Sequence, residues 1–214
     1  DGASTDGTLA VLDLYADRIG VLVSEPDGGI YDALNKGINR ASGDVVGFLH
    51  SDDLLADSKV LARIASQFAT SHIDAVYGDL LYVHKDDPER VVRYWRAGEF
   101  SPTRLCWGWM PPHPTFYVRR EIYQELGGFD TSYRIAADYD CMLRFLTTGR
   151  LRLGYIPEVL VKMRLGGESN RSLSNIIRKS REDYRALLNN GVGGVGSLAW
   201  KNLGKIRQFF SRIQ

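Results

Sequence analysis

The chain has 214 residues, of which 44% are hydrophobic and 25% are charged. This composition is typical of a globular protein, and the length suits one large α/β domain with a modest appendage. The two cysteines, Cys106 and Cys141, have no CxxC spacing, which argues against a disulfide framework and a zinc site and favours a reducing compartment. The sequence has no apolar run of about 18 residues and no secretory signal, so we expect a cytoplasmic protein without a transmembrane helix.

The net charge of +1 is unevenly distributed along the chain. Residues 171–214 contain nine Lys/Arg and two Asp/Glu, a net charge of +7, against −6 for the first 170 residues. A basic tail on a mildly acidic body predicts a separate contact surface, for which anionic lipid and nucleic acid are the two candidate partners.

The first elements follow a loop-like opening. The chain starts on "DGASTDGT" without a methionine, so we expect that the strand and helix that normally precede such a loop are absent. A helix is predicted over about 6–18 and a buried strand over 20–25, "GVLVSE". After the turn "PDGG", apolar residues recur at helical spacing from Ile30 to Ala41 and predict an amphipathic helix that ends near Gly43.

The pattern of strands alternating with helices continues to residue 83 and predicts a parallel sheet covered by helices. It comprises strands at 44–50 and 74–83 and a helix marked by Val60, Leu61, Ile64 and Phe68. The later predicted elements are strands at 91–95, 115–120 and 158–165 and helices at 120–126, 138–146, 172–190 and 196–212.

Two adjacent carboxylates follow the strand in "VVGFLHSDDLLAD", residues 45–57. Ligands of open α/β sheets bind at the carboxyl ends of the strands, which is where Asp52 and Asp53 are expected. A hard divalent cation commonly takes one or two carboxylates together with substrate phosphates. The dipeptide alone is also consistent with a solvated loop in which an aspartate caps the next helix.

The Asp52–Asp53 pair belongs to one of three stretches that occur in this order along the chain: "DGASTDGT", "SEPDGGIYDALNKGINRASGDVVGFLHSDD" and "GGFDTSYRIAADYDCMLRF". Together they resemble the family 2 glycosyltransferases with the GT-A fold, and most closely the bacterial members that build polysaccharides and glycolipids. The resemblance covers about residues 1–170. It implies a Rossmann-like, mostly parallel sheet with helices on both faces as the catalytic domain, with 171–214 as basic amphipathic C-terminal helices.

The resemblance also implies roles for individual residues. Asp1 would contact the nucleobase of a nucleotide-sugar donor. Asp53 would bind Mn²⁺ or Mg²⁺ on the diphosphate, with Asp52 near the ribose or assisting the metal. Asp138 would deprotonate the acceptor hydroxyl, giving a single displacement with inversion.

The two aspartates of "DYD", Asp138 and Asp140, can also be explained as structural residues. Asp138 opens an apolar helical segment, so it is also a candidate N-cap. Asp140 is expected to form an ion pair with Arg144, four residues further on.

Further donor-side residues are predicted in two segments. Glu25, Asp27, Gly28 and Gly29 form a turn. Its glycines either permit close approach of the backbone to the donor or only make the turn tight. Many family members have an arginine near "ALNKG" that contacts the diphosphate, and here Lys36 is the candidate replacement. In "KMRLGGESNRS" (162–172), Arg164 is expected to contact the diphosphate.

Three polar residues of that segment, Ser169, Asn170 and Arg171, are expected to belong with Arg164 to a lid over the donor. The alternative is a polar surface linker.

The acceptor side is predicted around "CWGWMPPHP". His113 resembles a position that faces the acceptor, although a lone histidine is more often structural. Trp107 and Trp109 are either core residues or a platform on which a sugar stacks.

The last helix, 196–212, interleaves tryptophan and phenylalanine with lysine and arginine. This pattern predicts peripheral contact with the anionic inner face of a membrane, which suits a lipid-linked acceptor. We expect no nucleic-acid partner. Packing onto the protein itself or onto the second copy of a homodimer is the alternative.

The expected activity is transfer of a sugar from a nucleotide-sugar to a hydroxyl of a glycan or lipid-linked acceptor. The competing predictions are a sugar-nucleotide pyrophosphorylase or other nucleotidyltransferase, and a non-catalytic nucleotide-binding fragment. A pyrophosphorylase needs a basic glycine-rich loop near the N-terminus, and none is visible in the sequence.

Overall fold

The computed structural model describes residues 1–70, 72–166 and 173–208. Its helices are α1 (Thr8–Asp13), α2 (Ile30–Arg40), α3 (Val60–Thr70), α4 (Pro102–Leu105), α5 (Arg120–Leu126), α6 (Ala137–Thr147), α7 (Leu173–Asn189) and α8 (Val195–Gln208). Its strands are β1 (Val45–Val46), β2 (Leu54–Leu55), β3 (Ala75–Val83), β4 (Val91–Trp95), β5 (Tyr117–Arg119) and β6 (Leu153–Arg164). Short 3-10 helices occur at Ala16–Arg18 and His113–Thr115.

The strands form a single sheet in the order β1-β5-β3-β6-β2, with β4 paired to β3. The predicted α/β class is confirmed, but the sheet is mixed rather than mostly parallel. Among the strands of the described ranges, β3 and β6 are the parallel pair, and the pairs β1–β5, β3–β5, β3–β4 and β2–β6 are antiparallel. The parallel prediction rested on strand–helix alternation that began at 20–25, where no strand forms, and the short connection from β3 to β4 permits only an antiparallel pair.

Helices cover both faces of the sheet, as predicted, and each face has its own apolar core. Val76 and Leu80 of β3 pack with Val60 and Ile64 of α3 on one face. Tyr77 of β3 belongs to the larger core on the opposite face, which also contains buried residues of α2, α5, α6 and α7. Successive side chains of a strand point to opposite faces, so β3 contributes to both cores.

Residues 20–25 are not a buried strand. Val21 is 65% exposed and Leu22 is 38% exposed. The amino group of Asp1 donates a hydrogen bond to the carbonyl of Val23 at 2.9 Å, and the carbonyl of Asp1 accepts one from Glu25 N–H at 3.1 Å. Two such bonds do not make a ladder, because a strand needs a neighbour along its length.

Other predicted boundaries shift. The helix predicted over 6–18 divides into α1 and a 3-10 turn, and the strand predicted over 44–50 is reduced to β1. The two C-terminal helices form close to their predicted positions, although residues 209–214 lie outside the described ranges. Within those ranges we find no helix with the length and apolar character needed to cross a bilayer.

The loop from Ala97 to Thr115 is fastened at both ends to neighbouring residues of β3. Asp79, which is 1% exposed, accepts hydrogen bonds from Ala97 N–H at 2.8 Å and from the hydroxyls of Tyr155, at 2.7 Å, and Tyr94. The Thr115 hydroxyl donates to the carbonyl of Gly78 at 2.9 Å. The buried carboxylate is therefore fully engaged in holding β3, β4, β6 and this loop together.

Helices α7 and α8 pack against α6 around a buried group of charges. Asp183 of α7 is 2% exposed and forms ion pairs with Lys179 at 3.2 Å and with Lys201 of α8 at 2.8 Å. The Lys201 ammonium also lies 3.0 Å from the ring centroid of Tyr139 in α6. The proposed boundary between a catalytic domain at 1–170 and C-terminal helices at 171–214 stays a prediction.

Candidate active site

Asp53 presents a buried carboxylate at the end of the segment that continues from β1. A tight turn precedes it, in which Asp53 N–H donates to the carbonyl of His50 at 3.0 Å. The residue is 6% exposed, and neither carboxylate oxygen has a hydrogen-bond partner in the described part of the chain. Buried carboxylates without partners are costly, so this one is a candidate ligand for a cation.

The electrostatics of Asp53 agree with its burial. Desolvation, reinforced by the neighbouring charge of Asp52, raises the pKa of Asp53 from 3.8 to about 6. The nearby backbone N–H of Arg164, which does not reach hydrogen-bond geometry, and the Arg164 guanidinium both act to lower the pKa of Asp53. The structure therefore brings three predicted donor-side residues, Asp52, Asp53 and Arg164, into one place.

Asp138 lies in the first turn of α6, where the positive end of the helix dipole stabilises a carboxylate. The hydroxyl of Tyr31 in α2 donates its single proton to the carbonyl of Ile135 at 2.7 Å, and Asp138 Oδ1 lies 3.3 Å from the same hydroxyl as the weaker of its two acceptors. The N-cap residue of α6 is Ala136. Asp138 is thus not the cap, and its side chain is oriented by a tyrosine from a distant helix.

Asp140 instead has the structural contacts that the sequence predicted. It is 6% exposed and forms the expected ion pair with Arg144, at 3.9 Å. It also accepts hydrogen bonds from the hydroxyl of Tyr133 at 3.2 Å and from Asn190 Nδ2 at 3.0 Å.

His113 opens the 3-10 turn before β5 and is 9% exposed. Its Nε2 has no hydrogen-bond partner among the described residues, and its ring centroid lies 5.9 Å from that of His50. Burial lowers the pKa of His113, while the charge of Asp138 acts to raise it and that of His50 to lower it. His113 therefore lies near both the predicted base and the segment that leads to Asp53.

The opening loop and the turn at 26–29 meet beside a cavity of about 570 Å³. The carboxylate of Asp1 accepts hydrogen bonds from Ser4 N–H at 3.0 Å and from the Ser24 hydroxyl at 2.6 Å. Gly2 approaches Asp27 so closely that a Cβ at position 2 would lie 2.5 Å from Asp27 Oδ2. The cavity is lined by predicted donor-side residues, namely Asp1, Glu25, Asp27 and Lys36.

Lys36 is engaged by its neighbours. Its ammonium donates to the carbonyl of Pro26 at 2.7 Å and forms ion pairs with Asp32 at 3.1 Å and Glu25 at 3.5 Å. Glu25 also pairs with Arg40 at 3.0 Å. Gly28 N–H donates to Asp32 at 2.9 Å, so the turn and the start of α2 form one polar cluster. A phosphate contact by Lys36 stays a prediction.

The two tryptophans of the acceptor-side loop have different surroundings. The Trp109 indole N–H donates to the carbonyl of Ala97 at 2.8 Å, and its ring packs against Tyr77 with centroids 5.7 Å apart. These contacts favour a packing role for Trp109. Trp107 is 59% exposed, and its ring centroid lies 5.2 Å from that of Trp200 in α8.

Tyr31, His50 and Glu182 also belong to this region, and sequence reasoning missed them. Glu182 of α7 accepts hydrogen bonds from the backbone N–H groups of Ile135 and Ala136, just before α6. The predicted lid residues Ser169, Asn170 and Arg171 lie outside the described ranges. In those ranges, no group of three or more His, Cys, Asp or Glu side chains is arranged to hold a metal ion.

The sequence of this chain is similar to those of known proteins. The profile of Glycosyl transferase family 2 matches residues 1–136. The PGL/p-HBAD biosynthesis glycosyltransferase of Mycobacterium bovis is 32% identical over 176 residues, covering 79% of this chain and 66% of the relative. The chondroitin synthase of Pasteurella multocida is 26% identical over 183 residues, covering 85% of this chain and 18% of that protein.

Two solved structures share the GT-A fold. S. aureus TarS in complex with UDP-GlcNAc matches with a TM-score of 0.66 at 18% identity, covering 90% of this chain and 55% of that one. Glucosyl-3-phosphoglycerate synthase from Mycobacterium tuberculosis, in complex with Mn²⁺, UDP and glucosyl-3-phosphoglycerate, matches with a TM-score of 0.56 at 17% identity over 89% of this chain and 66% of that one.

The chain thus spans just under two thirds of the length of the mycobacterial relatives. The family match covers well over half of the 214 residues and includes the opening loop, the Asp52–Asp53 turn and the approach to α6. The predicted family is confirmed: this chain belongs to glycosyl transferase family 2.

Proposed function

We propose that this chain catalyses transfer of a sugar from a nucleotide-sugar, with inversion and with a divalent metal, to a hydroxyl of a glycan or lipid-linked acceptor. The observation that carries the proposal is the carboxylate of Asp53, which is 6% exposed and has no hydrogen-bond partner among the described residues. Such a group needs a cation beside it when ionised, and a metal-bound diphosphate of the donor supplies one.

The residues present fit Mn²⁺ or Mg²⁺. Asp53 presents two free oxygens, and Asp52 adds a second carboxylate at the same turn. Two carboxylates with the diphosphate as the remaining ligand suit a hard cation, which does not need an all-protein cage. When bound, the metal would supply charge stabilisation for the departing diphosphate. TarS and the mycobacterial synthase were crystallised with uridine nucleotides, which supports a UDP-sugar as the donor.

The side chains that surround the reacting atoms act as follows. The carboxylate of Asp138, held by the Tyr31 hydroxyl, accepts the proton of the acceptor hydroxyl. The acceptor oxygen then forms a bond to the anomeric carbon while the bond from that carbon to the diphosphate oxygen breaks, and the diphosphate leaves with the electron pair. One base and one displacement invert the configuration of the anomeric carbon.

The exposed C-terminal surface supports the proposed acceptor and its location. Trp107 and Trp200 form an exposed aromatic pair, and Ile176, Ile177 and Leu203 are also exposed. Apolar side chains on basic helices support contact with the inner face of a membrane, where a lipid-linked acceptor would be found. A homodimer through the same surface is the competing proposal.

Release of nucleoside diphosphate from UDP-, GDP- and dTDP-sugars, with Mn²⁺ or with EDTA, tests the function. We expect metal-dependent release that Asp53→Asn and Asp138→Asn both abolish. Asp138→Asn should retain donor binding in calorimetry, because the base does not touch the donor diphosphate. The exposed variant Asp57→Asn is the matched control and should behave as wild type.

Three results would contradict the proposal. Release that is unaffected by EDTA would exclude the metal, and full activity in Asp138→Asn would exclude the base. Formation of a nucleoside triphosphate from pyrophosphate and the donor would instead identify a pyrophosphorylase.

A further inference from the structure

Three consecutive backbone N–H groups lead into α6, and one carboxylate of α7 accepts hydrogen bonds from all of them. Glu182 Oε2 accepts from Arg134 at 3.1 Å, from Ile135 at 2.8 Å and from Ala136 at 3.0 Å. Its Oε1 also lies 3.2 Å from the Arg134 nitrogen. Asp138 lies two residues after Ala136, the last of the three donors.

Helix α6 does not cap itself. Its N-cap residue, Ala136, has no side chain that can accept a hydrogen bond, and no side-chain cap is formed. Unpaired N–H groups at a helix start require an acceptor, and an anionic one is favoured by the helix dipole. Glu182, which is half-buried, provides such an acceptor for the N-cap N–H of Ala136 from 46 residues away along the chain, and its other two donors, Arg134 and Ile135, lie just before the helix.

The peptide of Ile135 is held from both sides. Its N–H donates to Glu182 at 2.8 Å, and its carbonyl accepts from the Tyr31 hydroxyl at 2.7 Å. The same hydroxyl lies 3.3 Å from Asp138 Oδ1. A displacement of Ile135 would therefore move the group that orients Asp138 together with the start of the helix that carries it.

We infer that Glu182 is a positioning residue for the catalytic base. It fixes the 134–136 segment, so that Asp138 and the Tyr31 hydroxyl keep the geometry that proton transfer requires. Charge-assisted hydrogen bonds from a carboxylate to backbone N–H groups are stronger than neutral ones, which suits an anchor. This inference rests on the proposed function, since it gives Asp138 a proton to accept, and it makes α7 part of the active site although α7 lies beyond the 1–136 family match.

The test compares Glu182→Ala, which removes the acceptor, with Glu182→Gln, which keeps a neutral one. Hydrogen exchange at the amides of 134–136 reports the anchor, and steady-state kinetics with Mn²⁺ and a UDP-sugar report its effect. Arg185→Met is the matched control, because Arg185 also joins α7 to the preceding loop, through Ser132 at 2.8 Å, but does not touch those amides.

We expect Glu182→Ala to speed exchange at 134–136 and to lower kcat by about tenfold to a hundredfold, because small misplacements of a catalytic group are costly. The KM for the donor should change little. Glu182→Gln should recover most of kcat, and Arg185→Met should retain it.

Faster exchange with unchanged kcat would overturn the inference, as would equal losses in Glu182→Ala and Arg185→Met, which would indicate only helix packing. If the wild-type chain shows no transfer, the proposed function fails and the catalytic part of this inference fails with it; exchange then decides only whether Glu182 anchors residues 134–136. Faster exchange confined to 134–136 would then support the anchor, and unchanged exchange would overturn it.

Discussion

The hydroxyl of Tyr31 lies 2.7 Å from the carbonyl oxygen of Ile135 and 3.3 Å from Oδ1 of Asp138. One phenol from α2 thus contacts both the backbone before α6 and the predicted catalytic side chain on it. Tyr31 is 9% exposed, so water does not readily replace these contacts.

Tyr31→Phe should lower kcat by about tenfold or more, because Asp138 loses the group that orients it. The variant should also lose about 1–3 kcal/mol of unfolding free energy, since the Ile135 carbonyl is left without its partner. Tyr139→Phe is the control, because the buried Tyr139 hydroxyl has no hydrogen-bond partner among the described residues. Equal kinetics for the two variants would exclude a specific role for Tyr31.

Asp53 should destabilise the metal-free protein as the pH rises. Its pKa is raised from 3.8 to about 6, so the folded state holds its proton over a range in which the unfolded state has lost it. Stability from this group is therefore fully present below the unfolded pKa and is lost as the pH rises through about 6. The shift corresponds to about 3 kcal/mol.

Asp53→Asn should accordingly raise the unfolding free energy by up to about 3 kcal/mol near neutral pH and by little at acidic pH. Urea denaturation over this pH range, in EDTA, measures the difference. Asp57→Asn should show no such gain, because Arg63 and the Lys59 N–H lower the pKa of Asp57. A loss of stability in Asp53→Asn at neutral pH would contradict the prediction.

Metal-dependent donor binding should weaken in acid. A cation competes with the proton for the Asp53 carboxylate, so the apparent affinity for Mn²⁺ with a UDP-sugar should fall about tenfold per pH unit below the pKa of about 6. Calorimetry with an intact UDP-sugar is preferable to UDP, whose terminal phosphate titrates in the same range. Affinity that does not change between acidic and neutral pH would count against Asp53 as the ligand.

Removal of the buried charge at Asp183 should loosen α8. Burial acts to raise the pKa of Asp183, but the charges of Lys201 and Lys179 outweigh it and the pKa is lowered. Asp183→Asn leaves two cations near one another without the carboxylate and should cost about 3–5 kcal/mol. Lys201→Met should cost less, because Asp183 keeps Lys179 at 3.2 Å.

Urea denaturation followed by tryptophan fluorescence checks this order, since Trp200 of α8 contacts Trp107 in the folded state. A greater loss in Lys201→Met than in Asp183→Asn would show that the lysine, not the carboxylate, organises the cluster.

The sequence predicted the parts of the site that lie on local patterns. The polar residues after the apolar run predicted a turn at Asp52 and Asp53, although β1 itself ends at Val46, and the helical period of 138–146 placed Asp138 at the start of α6. These features depend on neighbours within a few residues, which periodicity and turn composition record.

Features that depend on distant partners were not predictable. Apolar residues 20–23 read as a buried strand, but burial depends on a neighbouring strand that does not pair with them here. The Trp109 indole N–H donates a hydrogen bond to the Ala97 carbonyl, and Glu182 accepts hydrogen bonds from amides nearly 50 residues earlier. No local pattern distinguishes such a glutamate from an exposed one on an amphipathic helix.

The attachment of the 97–115 loop to Gly78 and Asp79 has a practical consequence for protein engineering. Both ends are hydrogen-bonded to adjacent residues of β3. The stretch between them, which carries Trp107, Trp109 and His113, can therefore be exchanged as one segment. Exchange of residues 98–114 with those of a relative, leaving Ala97 and Thr115 in place, should test the predicted acceptor-side role of this stretch while keeping the hydrogen bonds that join its ends to β3. A chimera joined between β3 and β4 would instead separate Asp79 from the native Tyr94 and Ala97, which donate hydrogen bonds to it.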